Sequence, residues 1–273
     1  MSLPRADPSR AGEAERIQNN LIAYFLTFAG LPGVTLAEGD VTWFVSARGA
    51  PGNYVLRARL SSDSAGRRID EVYRQVSHYV DTIDWLVFPG CQPADLGAHL
   101  EARGMKGGPG GTWMLADLAS PPGTAGVPDG FRAGRVRDAA MLEEWKVLST
   151  TGFETDAQIY YEAYVRHDFE PDASWLHYIG YQDGEPVTSS TLLLAGGIAG
   201  IYDVSTPPSF RGHGYGRAIT LAMMQEARRL GYQDAWIWSS EMGKGVYSRI
   251  GFVARDLGIR EYRWRKPQAV PPP

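Results

Sequence analysis

The stretch that decides the fold is Ile201-Tyr202-Asp203-Val204-Ser205-Thr206-Pro207-Pro208-Ser209-Phe210-Arg211-Gly212-His213-Gly214-Tyr215-Gly216. It reads as a strand, a proline-stiffened exit and a loop of alternating glycines that opens directly into a helix. Glycines at 212, 214 and 216 let the backbone close around an anion. The first turn of the helix adds unpaired N–H groups and the positive end of its dipole. A pyrophosphate suits such a cradle, although the same spacing taken alone also describes a plain helix-entry loop. No Gly-Lys-Ser/Thr closes the loop as in nucleoside triphosphate binders, and its glycine spacing is not that of the dinucleotide fingerprint.

Downstream of the loop, the pattern predicts a helix over 217–230 stopped by Gly231, a strand over 235–238, a short helix ending at Gly251 and strand material over 252–264. Upstream, period-two segments over 175–181, 187–194 and 198–205, separated by turns at 183–186 and 196–197, predict an antiparallel meander. A strand over 131–136 precedes them. So does a helix capped by Asp138, with Met141, Leu142, Trp145 and Leu148 on its apolar face, and a further helix over 156–167.

Residues 120–130 carry three prolines and little to bury, and they read as a linker. In the first half, Ile17, Leu21, Tyr24, Phe25 and Phe28 mark an amphipathic helix over 11–29. Strands follow over 41–46 and 54–60, then a helix begun by Ser62 and Asp63, a buried strand over 85–88, a helix over 95–103 and a strand over 112–118. The chain is therefore expected to be α+β, with domains over 1–119 and 131–266 and a disordered tail over 267–273.

The halves echo each other. Leu100-Glu101-Ala102-Arg103-Gly104-Met105 sits over Tyr247-Ser248-Arg249-Ile250-Gly251-Phe252 at an offset of 147, and Trp85-Leu86-Val87-Phe88 over Trp236-Ile237-Trp238-Ser239 at 151. An offset of 150 sets residues 61–66 against 211–216, with two glycines and the arginine missing and Asp63 where it would repel phosphate. Leu100 stands opposite Tyr247. The chemistry is expected in the second half alone. Gly107-Gly108-Pro109-Gly110-Gly111 reads as a flexible turn, since no helix follows it directly.

Val204-x-Thr206, then Arg211-Gly-x-Gly-x-Gly216, then a helix, a strand and Val246-Tyr247-Ser248-Arg249-Ile250-Gly251-Phe252 together resemble the GNAT acetyltransferase superfamily over about 131–266. The resemblance implies two tandem GNAT-like domains, each a mostly antiparallel sheet flanked by helices, the first a degenerate copy. It implies acetyl-CoA as donor and direct transfer to an acceptor amine, on a small molecule or a peptide. Carried onto this chain, Arg211, Gly212, His213, Gly214, Tyr215 and Gly216 hold the pyrophosphate, and Val204, Ser205 and Thr206 offer groups to the pantetheine arm and thioester. Tyr247 is the general acid, a role its ordinary phenol pKa near 10 permits at neutral pH. Ser240 and Gly243 depart from the Asn and Ala usual before that tyrosine. Ser240 can still cap the short helix and is counted among the cofactor contacts.

For the base, Asp203 and Glu154 are the candidate carboxylates, with relayed water the alternative; Asp203 is preferred. Strand alternation sets Asp203 and Val204 on opposite faces without saying which faces the cleft. Glu154, Asp156, Glu162, Asp168, Glu170 and Asp172, with Arg166 as the one opposing charge, form an acidic segment that either attracts a cationic amine or is a solvated surface. Trp145, Phe153, Tyr160, Tyr161 and Tyr164 either line a pocket or, as is usual for aromatics at helical spacing, sit in the core.

Composition narrows the alternatives. The 273 residues carry a net charge of −4, which gives no electrostatic reason to bind nucleic acid or an anionic membrane. One cysteine, Cys91, and five histidines without ligand spacing point to no metal. With neither a membrane-length apolar run nor a signal-peptide pattern, a soluble cytoplasmic protein is expected. Self-association into a homodimer stays open. A non-catalytic acyl-CoA-binding regulatory or scaffolding module is the main alternative, and phosphoryl transfer lacks the lysine and metal carboxylate it needs.

Overall fold

The structure, a computed structural model, describes residues 8–120, 123, 126–167, 169–170 and 173–267. Part of the predicted linker, the tail over 268–273, Asp168 and Asp172 lie outside the described residues. In chain order the elements are α1 (Pro8–Leu26), β1 (Val34–Ala37), β2 (Val41–Ser46), β3 (Tyr54–Ala58), α2 (Ser62–Val76), β4 (Thr82–Val87), α3 (Leu96–Glu101), β5 (Gly107–Gly108) and β6 (Thr112–Asp117). They continue with β7 (Phe131–Arg135), α4 (Ala139–Phe153), α5 (Gln158–Tyr164), β8 (Trp175–Gln182), β9 (Glu185–Ala195), β10 (Ile198–Ser205), a 3₁₀ turn (Pro208–Phe210), α6 (Tyr215–Arg229), β11 (Asp234–Ser239), α7 (Glu241–Ser248), β12 (Val253–Ala254) and β13 (Arg260–Arg265). Beyond the predicted elements stand β1 and the two-residue β5, which pairs with β13.

Two compact units form. The first holds the described parts of Met1–Gln18, Ala29–Gly110 and Leu257–Pro273; the second holds Asn19–Phe28 and Gly111–Asp256. The expected boundaries at 119 and 266 are crossed in both directions. Strand β6, predicted in the first half, pairs antiparallel with β11, and β13 pairs with β4. Side chains explain the exchange. Trp113 of β6 lies opposite Trp238 with rings stacked 4.6 Å apart, a favourable cross-strand pair. In β13, Arg263 forms a two-pronged ion pair with its cross-strand neighbour Asp84 at 2.6 and 2.7 Å, while Trp264 stacks on Tyr73 at 4.8 Å.

The sheet of the first unit runs β1-β2-β3-β4-β13-β5, and that of the second β12-β6-β11-β10-β9-β8-β7. Each contains one parallel pair spanned by a 15-residue helix: β3-α2-β4 and β10-α6-β11. The predicted repeat is thus present as a βαβ unit in each sheet. Against α6 the second sheet packs Met114, Leu176, Leu192 and Ile201, closing a core with Ile219 and Met223.

Register shows where the repeats diverge. Val55 lies beside Trp85 in the first pair and Gly200 beside Trp236 in the second. From Val55 to the start of α2 at Ser62 is seven residues, and from Gly200 to the start of α6 at Tyr215 is fifteen. The first unit therefore lacks the glycine loop altogether. Asp63 stands inside α2 rather than in a degraded cradle, because the eight missing residues shift the correspondence that a fixed offset of 150 assumes.

Candidate active site

The site starts from a break in β10. Tyr202 lies opposite Thr191 and Ser205 opposite Ser189, so one extra residue bulges out between them. Asp203 takes up the bulge in the left-handed region, φ 52°, a strained conformation for a residue with a Cβ. The carbonyls displaced by the bulge find hydroxyl donors in β9. Thr188 Oγ1 donates to Ser205 O at 2.6 Å and Ser190 Oγ to Tyr202 O at 3.3 Å. This accounts for two hydroxyls of the buried run Thr188-Ser189-Ser190-Thr191; Ser189 Oγ has no partner among the described residues. From the other face, Gly152 of α4 approaches so closely that a Cβ there would meet Ser205 Oγ and stand 3.0 Å from Thr206 N.

Beyond Ala199↔Ala235 and Gly200↔Trp236, β10 and β11 no longer pair. A cleft of about 440 Å³ opens there, lined by Val204, Ser205 and Thr206 of the strand end, by Arg211, Gly212, Gly214, Tyr215 and Gly216 of the loop and first helical turn, and by Ser240 and Tyr247. One cleft thus gathers ten of the twelve residues singled out from the sequence. The two outside it are His213, exposed and stacked on Tyr215 at 5.7 Å, and Asp203.

The loop is built for close approach of an anion. Gly212 and Gly214 have φ of 83° and 85°, and Gly214 is the N-cap residue of α6, so the free N–H groups of that helix begin at the cleft. Arg211 acts as a strut: its guanidinium donates to Thr206 O at 3.2 Å and Gly152 O at 2.7 Å and stands 3.7 Å from Glu154. That contact places Glu154 at the base of the loop as a partner of arginine. Arg217 and Arg249, which sequence reasoning passed over, also line the cleft, and the buried Nε of Arg217 has no partner among the described residues. A cation on the third residue of α6, just past the glycines, was the available signal.

At the other side of the cleft, Ser240 caps α7, its Oγ accepting from Gly243 N at 3.2 Å. The ring of Tyr247 leans on Gly243: a Cβ there would lie 2.6 Å from Tyr247 Cε2, which is why glycine stands at that position. Tyr247 is 9% exposed, and burial pushes its hydroxyl up to about 12, so it holds its proton throughout the neutral range.

Asp203 turns to the opposite side from Val204. Its carboxylate accepts from Tyr164 Oη at 2.6 Å and Tyr24 Oη at 3.4 Å, and Thr191 adds a third hydrogen bond. Burial raises the carboxyl pKa to about 6 against the opposing pull of those three hydroxyls. Thr191 also meets His177 Nδ1 at 3.0 Å; burial depresses that imidazole to about 3, so it stays neutral. Of the predicted aromatics, Trp145 and Tyr164 are core, whereas Phe153 is 50% exposed and lines the cleft. Two of the described acidic residues are engaged locally: Asp156 accepts from Gln158 N at 2.9 Å and Glu162 from Gln158 Nε2 at 3.2 Å. Among the described residues no group of His, Cys, Asp and Glu could hold a metal, and no helix is long and apolar enough to cross a membrane.

The second unit thus combines a βαβ unit with a bulged first strand, a parting of its parallel pair, a glycine loop at a helix N-terminus and a tyrosine lining the same cleft. Residues 139–252, all within the second unit, match the model of the acetyltransferase (GNAT) family. Among solved structures, the chain is similar to a GCN5-related N-acetyltransferase from Kribbella flavida (TM-score 0.64, 17% identity, 92% of this chain and 96% of that one). It is also similar to a tandem GNAT protein from the clavulanic acid biosynthesis pathway (0.61, 15%, 97% of each) and a GCN5-related N-acetyltransferase from Sphaerobacter thermophilus (0.54, 17%, 98% of each). At these identities the likeness is one of fold, and it extends to the tandem arrangement. No curated protein sequence matches the chain.

Proposed function

We propose that the second unit transfers the acetyl group of acetyl-CoA directly to the amine of a small molecule or peptide. The observation that carries this reading is a single cleft, opened by the parting of β10 and β11, lined both by the glycine loop and by Tyr247. The lining suits the coenzyme on its own chemistry: two left-handed glycines, the free amides of α6 and the unpartnered Nε of Arg217 favour a diphosphate. When bound, the coenzyme supplies an activated acyl group as a thioester.

The chain's own residues then have separable tasks. The amides of 212–216 and Arg217 grip the diphosphate, and backbone groups of 204–206 orient the arm. Tyr247 holds a proton at Oη for the departing sulfur, which its raised pKa keeps in place at neutral pH. Asp203, one residue from the cleft-lining Val204 but turned to the other side of the strand, and with a pKa near working pH, takes the proton lost by the amine through water.

The test is Tyr247→Phe, assayed for transfer to a panel of amines and for coenzyme binding by calorimetry. Turnover is expected to fall about a hundredfold or more with affinity within about twofold of the parent. Unchanged turnover on an identified acceptor overturns the acid assignment. Coenzyme binding without transfer by the parent protein to any amine would favour a binding module.

A further inference from the structure

We infer that His177, a buried side chain to which the proposed reaction gives no task, is a positioning residue: its imidazole carries its proton on Nδ1 and, through Thr191, aims a hydroxyl proton at Asp203. The inference follows from counting donors along a chain of contacts. His177 on β8 lies opposite Thr191 on β9, which in turn lies opposite Tyr202 at the start of the β10 bulge. Three neighbouring strands thus carry the imidazole, the hydroxyl and the carboxylate in order. Ionised, Asp203 offers only acceptors, so Tyr164 Oη at 2.6 Å, Tyr24 Oη at 3.4 Å and the Thr191 hydroxyl each donate to it. Thr191 has one hydrogen to give. With that hydrogen turned to Asp203, the hydroxyl can only accept from His177 Nδ1 at 3.0 Å, and Nδ1 must therefore be an N–H.

The other ring nitrogen agrees. His177 Nε2 is buried with no partner among the described residues. With the proton on Nδ1, Nε2 is a bare acceptor; with the proton on Nε2, an orphaned N–H would be buried there and Nδ1 would face a hydroxyl whose hydrogen is already committed. A second proton on the ring is opposed by burial first, then by His167 beyond α5 and Arg135 on β7. The imidazole is 3% exposed, stacked on Tyr164 at 4.3 Å and within 5.9 Å of Trp145, so close packing leaves it little room to find another partner. Around Asp203 the titratable groups are Tyr24 on α1, Tyr164 on α5 and its neighbour Tyr202, phenols that burial keeps protonated. A threonine hydroxyl rotates to suit its partners, and a fixed N–H behind Thr191 keeps its hydrogen on Asp203. That bond favours the charged carboxylate against burial and so helps set where Asp203 gains and loses a proton. Its bearing on catalysis rests on the proposed role of Asp203 as base.

The experiment places the proton directly. In the full chain labelled with nitrogen-15 at histidine, the bare ring nitrogen of His177, assigned by its loss in His177→Phe or His177→Asn, is expected to couple to both ring carbon protons, as Nε2 does. A bare nitrogen that couples to Hε1 alone is Nδ1 and overturns the inference. Asp203 is then titrated through the carbon-13 shift of its carboxylate, assigned with Asp203→Asn. His177→Phe keeps a planar ring without the donor and is expected to raise the midpoint by about 0.5 pH unit or more. His177→Asn puts an amide nitrogen where Nδ1 stood and is expected to return the midpoint to within about 0.2 unit of the parent. A midpoint that neither variant moves overturns the inference, and so does one that both move equally, the mark of a structural role alone. Neither measurement needs coenzyme or turnover. A midpoint that moves in His177→Phe while the acidic limb of kcat/KM stays in place removes Asp203 as base and leaves the His177 proton where it is assigned.

Discussion

Asp203 makes the chain's stability depend on pH in a direction opposite to that of an ordinary surface carboxylate. Burial lifts its pKa to about 6 from an unfolded value near 3.8. The folded state therefore holds a proton between about pH 4 and 6 that the unfolded state has released. The stabilisation is complete below the unfolded pKa and is lost as pH rises through the folded one. Two units correspond to about 3 kcal/mol over the whole window, of which about 1.4 kcal/mol is lost between pH 5 and 8. That figure is a ceiling, since Asp203 as a residue keeps some exposure to water, which screens part of the effect. Asp203→Asn cannot titrate. Urea unfolding of parent and variant at pH 5, 6, 7 and 8 is expected to show the parent losing about 1 kcal/mol relative to the variant across that range. Subtracting the two profiles cancels every other titrating group, and also the constant cost of disturbing the tyrosine hydrogen bonds. Profiles parallel within about 0.3 kcal/mol would mean that Asp203 does not titrate in this window, and the base assignment would fall with it.

Tyr164→Phe removes the shortest hydrogen bond to that carboxylate, which favours its charged form, so the acidic limb of kcat/KM is expected to move above pH 6; an unmoved limb contradicts the assigned base. Gly152→Ala gains up to about 1 kcal/mol of helix propensity but drives a methyl into Ser205 and the Thr206 backbone, which costs about 1–3 kcal/mol. A net loss of roughly 1 kcal/mol in thermal unfolding is expected, with weaker coenzyme binding because the strand end that lines the cleft must shift. Gly214→Glu is expected to abolish coenzyme binding by calorimetry, since φ of 85° strains any side chain and the added carboxylate repels phosphate.

How much of this was legible depended on how local the cause was. The glycine loop, the Asp138 cap and the meander are written within a dozen residues of where they act, and the structure has them at those places. The exchange of β6 and β13 is not local. Both strands carry apolar and aromatic residues that would suit either sheet, and the choice is made by partners far along the chain, Trp238 for Trp113 and Asp84 for Arg263. Asp203 shows the same limit from the other side. Its neighbours in sequence gave the correct opposition to Val204, but nothing near it announced Tyr24, 179 residues earlier, as a donor. The buried hydroxyl run at 188–191 was the one visible sign of the bulge, since Thr188 and Ser190 find acceptors there that a regular ladder does not leave free.

The two βαβ units separate what makes a gap from what makes the glycine-loop cleft. Both first strands bulge near the point where parallel pairing stops, at Leu56 and between Tyr202 and Ser205, and in both a side chain donor meets a carbonyl of the bulge: Gln18 at Leu56 O, Ser190 at Tyr202 O. A pocket beside the strand therefore needs only the bulge. Beyond it, the second unit has eight further residues ahead of its helix, and the strand partner continues into α7 with Tyr247 where the first unit turns back at Gln92. Inserting a glycine loop before α2 would accordingly not create coenzyme binding, because Gln92 already bridges Ala58 and Leu60 across the space that the cleft occupies in the second sheet.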